Sequence, residues 1–152
     1  MMGAKTMDQA LQVDLPKAKK SVALSGVVAG NTAVCSVGRT GNDLHYRGYD
    51  VIALAEDAGF EEVAYLLLYG RLPSPTQLNQ YRKKLKTLRG LPVMLRPMLE
   101  SLPASAHPMD VLRSGCSALG TILPEAQDHN PGAAREIANR LIASFASMLL
   151  YW

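Results

Sequence analysis

The stretch FEEVAYLLLYGRLPSPTQLNQYRKKLKTLRG (Phe60–Gly90) decides the fold, because it contains the signals of two helices and of the turn between them. In its second half, Ser74 is a candidate N-cap, Pro75 stands at the first helical position and Gln77 completes a capping box. One apolar stripe follows at helical spacing: Leu78, Tyr81, Leu85 and Leu88. The pattern predicts a helix that buries one face and ends near Gly90.

The first half of the same stretch predicts a second helix. Glu61 and Glu62 fall in its first turn, where negative charge interacts favourably with the helix dipole. Gly70 and then Pro73 mark its end. Apolar residues cover it nearly all round, which is typical of a buried helix.

Toward the N-terminus the pattern changes from helix to strand. Residues 32–37 alternate and are rich in β-branched side chains, and residues 44–46 form a second short extended stretch. The intervening GRTGND predicts a β-hairpin loop. Two strands are marginal alone in water, so the hairpin must pack on helices. We therefore divide the chain into a flexible leader (1–20), a β-hairpin segment (21–49) and a helical portion (50–152).

Toward the C-terminus the helical pattern continues to the last residue. Asp50 is the candidate N-cap of a short helix that Gly59 ends, a proline-broken segment follows Gly90, and another helix starts at Pro108. Glycines inside that helix predict close approach of another helix. The last helix opens at Asn130 and carries an inward stripe of Ile137, Leu141, Phe145, Met148 and Trp152. The fold class is mainly α, with about six helices and a short N-terminal hairpin, and we expect the chain to be truncated inside its last helix.

Composition excludes several classes of protein. The net charge of +3 comes without a basic stripe interleaved with aromatic residues, so nucleic acid is not an expected partner. The two cysteines are far apart in the sequence and indicate neither a disulfide framework nor a metal site. There is no signal-peptide pattern and no apolar run of about 20 residues. We expect a soluble, cytoplasmic protein that does not contact membranes.

Residues with catalytic potential are sparse. His45, His107 and His129 have no carboxylate or cysteine at triad or ligand spacing, and Cys116 lies at an apolar helical position. AVCSVGRTG (33–41) lacks the first glycine and the lysine of a phosphate-binding loop. The spacing predicts no catalytic residue and no metal site. The basic face within residues 82–89 is either a solvated helix face or a site for an anionic partner, such as a polycarboxylate or a coenzyme phosphate.

Four blocks together carry a resemblance to a known family. LHYRGYD, FEEVAYLLLYGRLP, LRGLP and HPMDVLRSGCSALG occur here in one order and at close spacing. They resemble the N-terminal part of the citrate synthase family. The stretch before and through YRGYD is most similar to the bacterial 2-methylcitrate synthase branch. The resemblance covers residues 19–152.

This resemblance implies a helical enzyme, usually homodimeric, that condenses an acyl-CoA with oxaloacetate. In the 2-methylcitrate branch the acyl donor is propionyl-CoA and the pathway is propionate breakdown, whereas ordinary citrate synthases use acetyl-CoA. Acyl-CoA is a substrate, so no cofactor is expected. The family's catalytic histidine and aspartate motifs are absent from this sequence, and none of the three histidines matches them. We expect an N-terminal fragment that is inactive alone.

The resemblance also implies two binding features. It assigns one substrate contact to Lys84, on the basic helix. It matches the helix from Pro108 and the last helix to helices that pair across the family's dimer interface, so the isolated chain is expected to form oligomers or aggregates. The alternative from another class is a non-catalytic helical protein that pairs with full-length subunits.

Overall fold

The computed structural model describes residues 30–38, 41, 43–123 and 130–152. Residues 32–152 cluster as one compact unit, and every helix and strand named below belongs to it. The predicted leader (1–20), the first residues of the hairpin segment (21–49) and His129 lie outside the described residues. The three predicted domain boundaries therefore stay predictions.

A small antiparallel sheet contains the predicted hairpin. Strand β1 (Cys35–Val37) pairs with β2 (Leu44–Tyr46), and a short third strand, β3 (Tyr49–Asp50), pairs with the other edge of β2. The third strand was not predicted. It follows a two-residue turn in which Arg47 and Gly48 have φ of +52° and +91°, the signs of a type I′ hairpin turn. Arginine is unusual at such a position, so the turn gives only a weak sequence signal.

Six helices account for most of the described chain, as the sequence predicts. They are α1 (Val51–Asp57), α2 (Phe60–Tyr69), α3 (Pro75–Thr87), α4 (Leu95–Glu100), α5 (Pro108–Ile122) and α6 (Pro131–Tyr151). The predicted mainly α fold class is confirmed for these residues.

Helix starts follow the predicted capping chemistry. The Asp50 carboxylate accepts from the Ile52 and Ala53 backbone N–H groups at 2.9 and 3.1 Å, and Ser74 caps α3 reciprocally with Gln77.

The ends of α1 and α3 differ from the predicted ones. Gly59 does not end α1, since the C-cap is Ala58; instead Gly59 caps α2 and donates its N–H to the Glu62 carboxylate at 2.9 Å. Helix α3 ends at Thr87, short of Gly90.

Arg47 fastens the sheet to the helices. Its guanidinium donates to the Leu67 carbonyl near the end of α2 from two nitrogens, at 2.8 and 3.3 Å, and to the Ala33 carbonyl at 3.2 Å. A cation at a helix C-terminus satisfies carbonyl groups that lack partners within the helix. This contact supplies the packing that a short hairpin needs.

Two apolar clusters form the core, and α6 contributes to both. The first joins α2, α3 and α6 through Tyr65, Tyr81, Leu85 and Ala143. The second joins α4, α5 and α6 through Leu95, Leu99, Val111, Leu119 and Met148. The long last helix therefore holds the two helix groups together.

Close helix packing occurs at one interior glycine of α5 and not at the other. A Cβ added at Gly115 would lie 2.9 Å from Met148 Sδ and 3.6 Å from Leu99 Cδ2, so Gly115 permits the approach of α6 and α4. A Cβ at Gly120 would meet nothing within 4 Å. Among the described residues of one chain, the predicted close packing is confirmed for Gly115, whereas no neighbour approaches Gly120.

The inward face of α6 differs from the predicted stripe. Met148 is fully buried, but the other buried positions are Asn139, Ala143 and Ser144. The other four stripe residues are half-buried, and three of them, Leu141, Phe145 and Trp152, pack against the second cluster. Helix α2 is likewise less buried than predicted, since Phe60 is 70% exposed. The pattern of apolar residues alone does not predict which face of α6 is buried, because Asn139 is buried by hydrogen bonds to tyrosines of α2 and α3.

Candidate functional site

Lys84 lies at the mouth of an open pocket between α2 and α3. The pocket has a volume of about 240 Å³, and its lining combines aromatic rings, primary amides and one cation: Tyr65, Tyr69, Gln77, Gln80, Tyr81 and Lys84. We call it the tyrosine pocket. The predicted substrate contact is thus placed beside a concave surface with polar groups, a combination typical of ligand sites.

The floor of the tyrosine pocket is a rigid aromatic cluster. Tyr65 and Tyr69 stack at 4.3 Å between ring centroids, and Tyr81 stands edge-on to both rings, at 5.4 and 5.9 Å. Edge-to-face and offset arrangements are the favourable geometries for aromatic pairs. The helical register in α2 and α3 brings these rings together.

A buried amide links this cluster to α6. The Tyr81 hydroxyl donates to Asn139 Oδ1 at 3.0 Å, and Asn139 Nδ2 donates to the Tyr69 hydroxyl oxygen at 3.2 Å. Asn139 is fully buried. A buried amide is tolerated only when its groups are hydrogen-bonded, so this network fixes the register of α6 on α2 and α3.

The titration of Tyr81 gives a test of this packing. Burial, and then the nearby Tyr69 and Glu61, raise the pKa of Tyr81 from 10.0 to about 12. Because the pKa is raised in the folded state, the unfolded chain loses this proton first as the pH rises. The contribution of the raised Tyr81 pKa to the free energy of unfolding is complete below pH 10 and is lost between pH 10 and about 12. It amounts to at most about 2–3 kcal/mol, at 1.36 kcal/mol per pKa unit.

We expect Tyr81→Phe to remove this part of the alkaline loss of stability. Urea unfolding measured from pH 9 to 12 should show a steeper decline for the wild-type chain than for the variant. Identical slopes would mean that Tyr81 titrates normally in the folded state.

Charges at the pocket mouth come from α3 and α6. Lys84 Nζ lies 2.6 Å from Glu136 Oε1, and both side chains are partly exposed. The Arg135 guanidinium lies 5.5 Å from the centre of the Tyr69 ring, and its Nε donates to the Pro131 carbonyl at 3.1 Å. Of these charged groups, Lys84 lines the pocket, while Glu136 and Arg135 contact two of its lining residues, Lys84 and Tyr69.

The rest of the basic face is directed to solvent. Arg82 pairs with Glu61 at 3.7 Å, while Lys83, Lys86 and Arg89 are exposed. Exposed side chains of this kind fit the solvated-face interpretation, and Lys84 is the cation of this face that lines the tyrosine pocket.

The two histidines among the described residues, His45 and His107, make local contacts, and His45 has a neighbouring carboxylate that its spacing did not predict. His45 Nδ1 lies 3.2 Å from an Asp43 carboxylate oxygen, and His107 caps α5 by accepting from the Met109 N–H at 3.1 Å. Cys116 is half-buried and borders a small cavity between α5 and α6. Within the described ranges, no three His, Cys, Asp or Glu side chains are grouped to hold a metal ion. No helix in the described part of the chain combines the length and apolar character needed to span a membrane.

An apolar groove of about 520 Å³ runs beside the C-terminal half of α6. Phe60, Ile142, Phe145 and Leu150 contribute to its lining, with Glu61 and Arg89 among its charged residues. Leu150 is 89% exposed.

The family resemblance named Lys84, and the α6 residues around it were not predicted. Asn139, Arg135 and Glu136 were not singled out. Helix α6 also contains Arg135, Glu136 and Arg140, so its sequence gave no distinct signal that Asn139 is buried. The approach of Arg135 and Glu136 depends on how α6 lies against α3, which their spacing does not reveal.

Comparison with known proteins gives a consistent result. The family model described as citrate synthase, C-terminal domain, matches residues 23–152. A 2-methylcitrate synthase of Shewanella oneidensis is 54% identical over 129 residues, which are 85% of this chain and 34% of that protein. A citrate synthase of Synechocystis is 33% identical over 126 residues, or 83% of this chain and 32% of that protein.

The fold agrees with a solved relative. The crystal structure of citrate synthase from Thermotoga maritima matches with a TM-score of 0.68 and 34% identity, over 83% of this chain and 32% of that one. This chain thus spans about a third of the length of the relatives it matches.

Proposed function

Since the chain belongs to the citrate synthase family, we propose that it forms the N-terminal part of the large helical domain of a 2-methylcitrate synthase. The whole enzyme would condense propionyl-CoA with oxaloacetate and water, giving 2-methylcitrate and CoA in propionate breakdown. The observation that carries this proposal is the 54% identity with the Shewanella 2-methylcitrate synthase, against 33% with the Synechocystis citrate synthase.

Citrate synthase activity, with acetyl-CoA as the acyl donor, is the second candidate. The Thermotoga structure supports it, because that protein is a citrate synthase at 34% identity. The names of these relatives give no support to the alternative of a non-catalytic partner.

In this proposal, the chain supplies binding and positioning rather than proton transfer. General acid–base catalysis needs a titratable group within hydrogen-bond reach of the reacting atom. The described residues offer no paired histidine and carboxylate in a cleft; His45 and Asp43 lie on the sheet, and His107 caps a helix. Lys84 would hold an anionic group of the substrate. The chain alone would therefore not turn over either acyl-CoA.

We also propose that the enzyme is a homodimer that pairs through α5 and α6. Gly120 is exposed on α5, with open space where a side chain would stand. A small residue on an exposed helix face lets a second helix approach closely. The two-fold arrangement would place the same surface of each subunit against its copy.

A pair of chimeric enzymes tests the function. Residues 23–152 would replace the matched third of the Shewanella 2-methylcitrate synthase and, separately, of the Synechocystis citrate synthase. We expect the Shewanella chimera to be dimeric on a sizing column and to release CoA from propionyl-CoA and oxaloacetate. The reason is that the 54% identity of the replaced segment predicts matching packing surfaces. The Synechocystis chimera should lose more of its parent's activity with acetyl-CoA.

The 152-residue chain serves as the negative control in the same assay. Recovery of the Synechocystis chimera with failure of the Shewanella chimera would favour ordinary citrate synthase. Turnover by the isolated chain would contradict the proposed division of roles, and a monomeric active chimera would contradict the dimer.

A further inference from the structure

The Glu136 carboxylate pairs with Lys84, the one cation among the described residues that line the tyrosine pocket. It reaches from α6 to Lys84 Nζ on α3, at 2.6 Å. A distance this short indicates a charge-assisted hydrogen bond. In its present rotamer the Lys84 ammonium therefore donates to a carboxylate while Lys84 also lines the pocket.

Other groups at the pocket suit an anionic ligand. Arg135 adds a second cation, which its contacts with the Tyr69 ring and the Pro131 carbonyl hold near the pocket. Gln77 uses its Oε1 to accept from the Ser74 N–H, so its amide nitrogen is the group that remains to donate. The nearby Glu61 carboxylate is paired with Arg82 at 3.7 Å.

We propose that the tyrosine pocket binds a ligand carboxylate on Lys84, and that Glu136 is an intramolecular competitor which the ligand must displace. The inference rests on the proposed role of Lys84 as a substrate contact and adds regulation of that site. Glu136 would lower the affinity for small carboxylate anions. It would also keep Lys84 in its binding rotamer while the pocket is empty.

The expected size of the effect follows from exposure. The Lys84 and Glu136 side chains are 36% and 59% exposed. Partly exposed ion pairs change an equilibrium by about 1.4- to 5-fold. Removing the competitor should therefore tighten carboxylate binding by a factor in that range, and not by orders of magnitude.

The test uses the 152-residue chain and two probes, oxaloacetate and inorganic phosphate. Side-chain amide resonances of Gln77 and Gln80 report on the pocket during an NMR titration. We expect Glu136→Gln to lower the dissociation constant for oxaloacetate by about 1.4- to 5-fold. Lys84→Gln should weaken oxaloacetate binding by at least the same factor, and phosphate should bind more weakly than oxaloacetate.

Two control variants match these changes in charge. Glu56 is exposed on α1, so Glu56→Gln makes the same charge change away from the pocket. Lys83 is exposed and adjacent to Lys84, so Lys83→Gln controls for the lost lysine. Both should bind oxaloacetate as the wild-type chain does. An equal tightening in Glu56→Gln would overturn the competitor role and assign the effect to net charge.

The wild-type chain offers a second readout that needs no variant. On saturation with oxaloacetate, the ¹³C resonance of the Glu136 carboxylate should move toward that of an unpaired glutamate. A pocket that binds phosphate but not oxaloacetate, or that binds neither, overturns the inference. If the chimeras are active but Glu136→Gln leaves the dissociation constant for oxaloacetate unchanged, this inference alone is refuted. Inactive chimeras with the expected binding changes would refute the proposed function alone.

Discussion

Asn139→Asp destabilises the folded chain by about 3–5 kcal/mol at pH 8, because it places an uncompensated charge in the core. Asn139 is fully buried between two tyrosine hydroxyls. The Tyr81 hydroxyl can still donate to the new group. The Tyr69 hydroxyl, which accepts from the amide, would have to turn its hydrogen toward the carboxylate, and two neutral hydroxyl donors do not neutralise a desolvated charge.

The loss should depend on pH in a defined direction. Burial raises the pKa of the introduced carboxyl group above its unfolded value of about 3.9. A group whose pKa is raised on folding favours the folded state when protonated. The penalty is therefore small below pH 4 and grows as the pH rises through the window between the unfolded and folded pKa values. Urea unfolding at pH 4 and pH 8 measures this difference.

Asn79→Asp is the matched control, since Asn79 is exposed on α3 and undergoes the same chemical change. Surface substitutions of this kind change the free energy of unfolding by about 0.5 kcal/mol or less. Equal losses at the two positions would contradict the buried network. So would a loss at position 139 that does not change between pH 4 and pH 8.

Local structure was predictable where the signal lies within a few residues. Ser74, Pro75 and Gln77 give the start of α3, because a capping box needs residues only three positions apart. The β1–β2 hairpin followed from alternation and turn composition. The β2–β3 turn was missed because Arg47 takes a positive φ, which its residue type does not signal.

Burial in α6 was harder to predict, because its partners lie far away in the chain. Asn139 bonds to side chains 58 and 70 positions earlier. The same limit applies to the candidate site. The resemblance named Lys84, but its pairing with Glu136 spans 52 positions and depends on the packing of α3 against α6. The apolar period predicts which face of a helix is buried, but it does not predict which face of another helix packs against it.

Shortening Leu99 to alanine should destabilise the chain far more than the same change at Leu150. Leu99→Ala is expected to cost about 2–5 kcal/mol, whereas Leu150→Ala should change the free energy of unfolding by about 0.5 kcal/mol or less. Leu99 is fully buried in the cluster of α4, α5 and α6, while Leu150 is 89% exposed beside the apolar groove. Urea unfolding of the two variants beside the wild-type chain makes the comparison, since the chemical change is identical.

Where the Leu99 value falls within this range depends on how far the site can collapse. Leu99 Cδ2 lies 3.6 Å from the position of a Cβ at Gly115, and the flexible Met148 side chain lies against the same glycine. Met148 can move into part of the space that Leu99 leaves, and this would bring the cost toward the lower end. In the double variant Leu99→Ala, Met148→Ala that relaxation is lost, so the combined cost should exceed the sum of the single costs. A sum equal to the double-variant cost would mean that Met148 stays in place when Leu99 is shortened.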